Sequence, residues 1–289
     1  MIKKLTLIFI VLFLPLTSLK AAAAPKSITI AVLPCTDIVM TFKKFHPLVT
    51  YLIQKTGMSV RLVVPENMTR LEASLNNEEI DFALQDPHTF LKLAHCFDQD
   101  SLLGVLNKGG GTTQTGVIVV RKDSNINRIT DLKGKSVMFG PKFSASKWLA
   151  ARLLFKDHGI DIEKDLKTYL NGGCCEDISF SVYLRAVDAG VVCEHFLAEH
   201  DEKQKDLGID ITKITVIGQT KAVPMKVLSA RKGIDKDVVH KVNQALLSLD
   251  RNNPDHGNIL FPAEIGGFTQ QINFDFPSIR MMLSDTRND

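Results

Sequence analysis

The stretch VRLVVPENMTRLEASLNNEEIDFALQDP, residues 60–87, changes its hydrophobic pattern twice, and that change decides the fold class. SVRLVVP (59–65) is an apolar run closed by proline and reads as a strand. LEASLNNEEI (71–80) reads as helix, IDFALQ (80–85) as a second strand, and PHTFLKLA as a short helix. Strand and helix in close alternation mean α/β layers with largely parallel strands.

The alternation extends in both directions. ITIAVLP (28–34) reads as a buried strand, followed by a helix with Phe45, Leu48, Leu52 and Ile53 on one face and Gly57 closing it. SLLGVL and GVIVVRKD read as strands flanking the loop NKGGGTTQT, and DLKGKSVMFG as turn and strand. SASKWLAARLLFKDHG reads as a helix stopped at Gly159, and LKTYLNGG, a helix from about Asp177, and AVDAGVV continue the order. In such sheets ligands gather beyond the carboxyl ends of the strands. The loops expected there are Cys35 to Asp37, Asp86 to Thr89, Gly109 to Thr115, Phe143 to Lys147, Gly172 to Cys175, and the turn at Asp188.

The chain opens MIKKLTLIFIVLFLPLTSLKAAAAPKS, with a basic start, an apolar run from Leu5 to Leu16 and a small-residue stretch, Ala21 to Ala24. That is the pattern of a secretory signal peptide over residues 1–23, cleaved before Ala24, and it predicts an exported, soluble protein. Removing it takes Lys3, Lys4 and Lys20 and no acidic residue, so the 35 basic side chains fall to 32, against 32 acidic. A neutral, mixed surface argues against nucleic acid or an anionic membrane as the main partner.

GPKFSASKWLAARLL (140–154) places Ser144 and Ser146 at a helix start. Two hydroxyls and unsatisfied N–H groups suit an anion there, and equally suit an ordinary N-cap. GGG at 109–111 is not a phosphate-binding P-loop, because no Gly-Lys-Ser/Thr follows at the required spacing. His195 and His200 lie five apart rather than at i, i+4, DEKQKD (201–206) reads as a solvated face, and Trp148 reads as core or as a ligand platform.

Taken in order, ITIAVLP, HPLVTYLIQKTG, the block at 60–87, TGVIVVRKDSNINRITDLKGKSVMFG, FSASKWLAARLL, the AVDAG element and FDFPSIRMML are similar to the phosphate/phosphite/phosphonate periplasmic binding proteins. The likeness runs from about Ser27 to Leu283. It implies a two-lobed type II periplasmic-binding-protein fold, each lobe a mixed, mostly parallel sheet flanked by helices. Lobe 1 would take residues 24–114 plus 222–289 and lobe 2 residues 115–221, with crossings near Thr113–Gly116 and Lys221–Pro224. It further implies capture of a small oxyanion between the lobes, no cofactor, no catalysis, delivery to an ABC permease in the inner membrane, and action as a monomer.

The family's helix start reads Ser-Thr-Ser-Gly; here it is Ser144, Ala145, Ser146 and Lys147, keeping the outer hydroxyls and gaining a cation. A micromolar solute needs roughly 8 kcal/mol, and hydrogen bonds to charged groups contribute about 1.5–3 kcal/mol each before ordering costs. One helix start falls short, so the resemblance brings in Thr36, Thr89, Thr113 or Thr115, and Asp188 as the acid that meets a protonated oxygen or an amine. His88 is read as a ligand contact or a backbone-bonded histidine, and Asp86 as the cap of the helix opened by Pro87.

Five cysteines follow the leader, with no Cys-x-x-Cys pair. Where the family carries a ligand histidine, this chain has Cys174 and Cys175. Four readings stand: a disulfide of Cys174 or Cys175 with Cys193, a soft-ligand site of Cys35, Cys174, Cys175 and Cys193 for a thiophilic metal or metalloid, plain buried thiols, or a catalytic thiol with His195 or His88 as base. The soft-ligand reading goes with a periplasmic sensor that signals to a membrane kinase.

Overall fold

Alternate residues of the first strand, β1 (Ser27–Val32), serve two different cores. Ile28, Ile30 and Val32 pack with α1 (Ile38–Thr56), whereas Ala31 and the following Leu33 pack on the opposite face. That is the period-two consequence of a strand buried on both sides. The computed structural model describes residues 26–34, 38–197 and 209–285. The leader, Cys35, Thr36 and the DEKQKD run lie outside the described residues.

The 60–87 block resolves as β2 (Ser59–Val63), α2 (Met68–Asn76), β3 (Phe82–Gln85) and α3 (Pro87–Lys92). Asn67 caps α2 by accepting the Arg70 N–H at 2.9 Å, so the helix starts earlier than its apolar residues suggest. Five strands follow: β4 (Leu103–Leu106), β5 (Thr113–Gln114), β6 (Gly116–Arg121), β7 (Ser136–Phe139) and β8 (Thr168–Asn171). Between β7 and β8 runs a helix whose first turn, Ala145–Ala150, is of π type and continues as α4 (Ala151–Asp157). Next come α5 (Cys175–Tyr183), β9 (Ala189–Cys193), β10 (Ile214–Gln219), β11 (Val223–Pro224) and β12 (Val227–Ala230). The chain closes with α6 (Lys236–Leu247), α7 (Pro254–Leu260), β13 (Gly267–Thr269) and α8 (Pro277–Asp285).

Two sheets result. One has the order β13-β4-β12-β3-β1-β2 and the other β10-β6-β9-β7-β8, while β11 and β5 form a separate antiparallel pair. The expectation of mostly parallel strands needs refinement. Parallel pairing holds for β2-β1-β3 and β8-β7-β9, but β12, β13, β6 and β10 pair antiparallel with their neighbours. Of these, β6 and β12 are the strands at which the chain has just passed from one sheet to the other.

The helix from Ala145 to Asp157 is shared by both sheets. Ala145, Leu149 and Leu153 pack into the core beneath the six-stranded sheet, with Leu71, Phe90 and Phe276. Trp148, Ala151 and Phe155 pack on the five-stranded sheet, with Ile118, Phe139 and Val191. Trp148 is therefore core, edge-on to Phe139 with ring centroids 5.6 Å apart. The opposite face of that sheet is covered by α5 through Ile178 and Val182. Gly116, where the chain enters the second sheet, has no room for a side chain: a Cβ there would stand 2.8 Å from the Ser146 carbonyl oxygen.

Candidate ligand-binding cleft

The carboxyl ends of β1, β3 and β4 face those of β7, β8 and β9 across a cavity of about 230 Å3. Its walls include Leu33, Gln85 and Lys108 from the six-stranded side and Ser144, Cys174 and Cys193 from the other. Gln114 from the crossing pair, Lys226 just before β12 and Glu264 before β13 also line it.

The helix start quoted above does reach this cavity. Ser144 caps the turn, its Oγ accepting the Lys147 N–H at 3.1 Å, while its carbonyl accepts both Trp148 N–H and Leu149 N–H, at 3.3 and 3.1 Å. The second of these is an i→i+5 bond, the widened turn often found at functional sites. Ser146 and Lys147 are buried and line the cavity. The Lys147 stem crosses Gly140, where an added Cβ would lie 2.5 Å from the lysine Cβ. Its ammonium donates to the Gly173 carbonyl at 3.2 Å and lies 3.8 Å from Cys175 Sγ. The gained cation thus points inward.

The Ala145 N–H already has an anion. Asp86 Oδ1 accepts the His88 N–H at 3.0 Å, capping α3 as expected, and its Oδ2 accepts the Ala145 N–H at 3.0 Å from across the cavity. One carboxylate therefore serves two helix starts from different sheets. Burial pushes its carboxyl up to about 6, against the two N–H donors and the attraction of Lys226 and Lys147.

Glu264 behaves in the opposite way. Burial would raise its pKa, but the Lys44 ammonium at 2.6 Å, helped by Lys226 and His195, holds it at about 2. Lys44 in turn is raised, because Glu264 and the more distant Glu176 outweigh its desolvation. Glu264 also sits at φ +61°, a left-handed conformation unusual for a side chain with a Cβ.

Several expected contacts are not brought to the cavity. Asp188 precedes β9, at the other end of the sheet, where its carboxylate accepts the Ser136 N–H at 2.8 Å and hydroxyl at 2.7 Å. It fastens β9 to β7. Thr89 is fully buried inside α3's first turn, and His88 faces a separate depression beside Trp148 and Arg152. Burial, with Lys92 nearby, lowers the His88 ring to about 4, so it is neutral at pH 7. Thr113 lies in the crossing ladder, and Thr115 bonds Glu194 and Gln219; the crossing residue that does face the cavity is Gln114. Lys44, Lys108, Lys226, Glu176 and Glu264 were missed, and no local motif marks them.

Of the cysteines, Cys174, Cys175 and Cys193 line the cavity, and no disulfide joins these or Cys96 to one another, so the reading of Cys174 or Cys175 bonded to Cys193 is not what the structure shows. Cys174 caps α5, its sulfur accepting the Asp177 N–H at 3.4 Å, and burial pushes its thiol up. Cys175 accepts the Cys193 N–H at 3.2 Å. Its thiol is lowered by the Cys193 side chain and by Lys147, against burial. Among the described residues no group of three or more His, Cys, Asp or Glu side chains is arranged to hold a metal ion.

Residues 30–274 match the family described as the periplasmic phosphonate substrate-binding protein of ABC transporters. The chain belongs to that family. Its members are binding proteins, not catalysts, which removes the catalytic-thiol reading. The fold agrees with solved structures. A binding protein component of an ABC phosphonate transporter from Pseudomonas aeruginosa matches with TM-score 0.77 at 16% identity, over 92% of this chain and 89% of that one. PhnD1 from Prochlorococcus marinus, in complex with methylphosphonate, matches with TM-score 0.78 at 14% identity, over 92% and 100%. A Xanthomonas citri protein bound to ATP matches with TM-score 0.66 at 18% identity, over 90% and 95%. This chain thus shares its two-sheet, type II frame with proteins solved with different ligands.

Proposed function

We propose that the protein captures a small oxyanion of the phosphonate, phosphite or phosphate class between its two sheets and hands it to an ABC permease in the inner membrane. The observation that carries this reading is the inward ammonium of Lys147 beside Ser146, on the helix turn that corresponds to the family's phosphoryl-binding start. Lys226 and Gln114 extend the donor set across the cavity. Because Asp86 takes the Ala145 N–H, the ligand meets side-chain donors here more than backbone ones. A cavity of about 230 Å3 is several times the ~30 Å3 that one water occupies in the liquid, which suits a tetrahedral anion with a short substituent.

In this reading residues 24–114 plus 222–289 form one lobe and 115–221 the other, hinged at the β5–β11 pair. The protein is exported, loses residues 1–23, and works as a monomer. N-terminal sequencing of the secreted chain checks the cleavage.

A thermal-shift screen of the mature protein with phosphate, phosphite, methylphosphonate, aminoethylphosphonate, sulfate and arsenite tests the ligand class, since binding to the folded state alone raises the melting point. A phosphonate or phosphate shift, weakened at least about tenfold in affinity by Lys147→Met, supports the proposal. A shift with arsenite alone, abolished by oxidation, favours a sensor that uses the cleft cysteines.

A further inference from the structure

Two groups converge on the Cys175 sulfur at the start of α5. The Cys193 N–H donates to it at 3.2 Å, and the Lys147 ammonium lies 3.8 Å away. Both cysteines line the cavity, each with 8% of its surface exposed. Cys174, next in sequence, is committed to capping α5, and Cys96 lies in the core beneath the six-stranded sheet.

We propose that Cys175 and Cys193 form a reversible dithiol–disulfide site in the cleft, oxidised by small organic disulfides, and that its oxidation tightens oxyanion binding. Cys175 is the attacking sulfur, because the ammonium and the N–H stabilise its thiolate. It attacks one sulfur of the reagent RSSR, forming a mixed disulfide and releasing RS⁻, which takes up the proton that left Cys175. Cys193 then gives up its proton and attacks Cys175 Sγ, expelling the second RSH. Two protein thiols and one RSSR become one protein disulfide and two RSH. The product carries no negative charge beside Lys147, so the ammonium keeps the Gly173 carbonyl and turns its remaining attraction to an anion in the cavity. The coupling to the ligand rests on the function proposed above; the dithiol chemistry does not.

The mature chain is treated with 2-hydroxyethyl disulfide or with dithiothreitol, mapped by mass spectrometry, and titrated calorimetrically with methylphosphonate. The expected oxidised protein is lighter by two hydrogen atoms, with a peptide joining Cys175 to Cys193, and binds about tenfold more tightly than the reduced form. Cys193→Ser, lacking the second attack, is expected to retain one reagent group on Cys175. Adducts on Cys174 or Cys96 with Cys175 untouched overturn the site, and a Cys175–Cys193 bond with unchanged affinity overturns the coupling. If the bond forms and no oxyanion binds in either state, the transport reading fails while the dithiol site stands.

Discussion

Asp86 and Glu264 line the same cavity, yet their carboxyls are displaced in opposite directions, to about 6 and about 2. Burial raises both, but Asp86 is the more deeply buried, and Glu264 keeps part of its side chain exposed. Glu264 has an ammonium at 2.6 Å, while Asp86 has two backbone N–H donors and only more distant lysines. Contact with a full charge overcomes burial, whereas two N–H dipoles do not. The cleft therefore holds one carboxylate matched to its surroundings and one that holds its proton more tightly than usual, and the second joins the two sheets.

The comparison can be broken most directly at Asp86. Between its ordinary 3.8 and about 6 the native state holds the proton more tightly than the unfolded chain. Stability should therefore fall as pH rises through that window, by about 3 kcal/mol in total. Urea unfolding at pH 4 and pH 6.5 is expected to show most of that loss, about 2 kcal/mol, in the wild type relative to Asp86→Asn. Parallel curves for the two proteins would mean that Asp86 is not held as described.

Removing the ammonium should turn Glu264 into a second Asp86. In Lys44→Met the Glu264 pKa is expected to climb from about 2 to roughly 4 or above, read by carbon NMR of its carboxyl. A value that stays near 2 would shift the credit from Lys44 to Lys226 and His195.

Glu264→Gln carries the opposite pH sign to the Asp86 change. A lowered pKa contributes stability above the ordinary 4.5 that is lost as pH falls toward 2. The Glu264 side chain is 39% exposed. Solvent screening therefore cuts the pair to about 1 kcal/mol, and denaturation at pH 7 and pH 2.5 should show that difference shrinking. The smallest effect concerns the backbone: at φ +61°, Glu264→Gly is expected to be about 0.5 kcal/mol more stable than Glu264→Ala. Equal melting points would place the strain elsewhere.

The strand–helix order was readable because proline, glycine and Asx signals punctuate it: Asp86-Pro87 opens α3, Gly57 follows α1, and Ser144 caps the shared helix. The site was readable in part. Ser144, Ser146, Lys147, Cys174 and Cys175 follow strands and reach the cavity; Asp188 precedes one and does not. Position relative to the strand's carboxyl end carried the signal, and the acidic residue type alone misled. Thr89 shows a second cause, since a residue within a helix's first turn can face inward as readily as toward a ligand.

What the sequence determined by itself is what depends on neighbours in the chain: element type, caps, the exported character expected from its leader, and the family. What only tertiary structure decided is which charges meet. Lys44 lies 220 positions from Glu264, Asp86 lies 59 from Ala145, and Lys147 lies 28 from Cys175. Charge contacts are set by distance in space and by the water excluded between them, and neither is a property of local order along the chain.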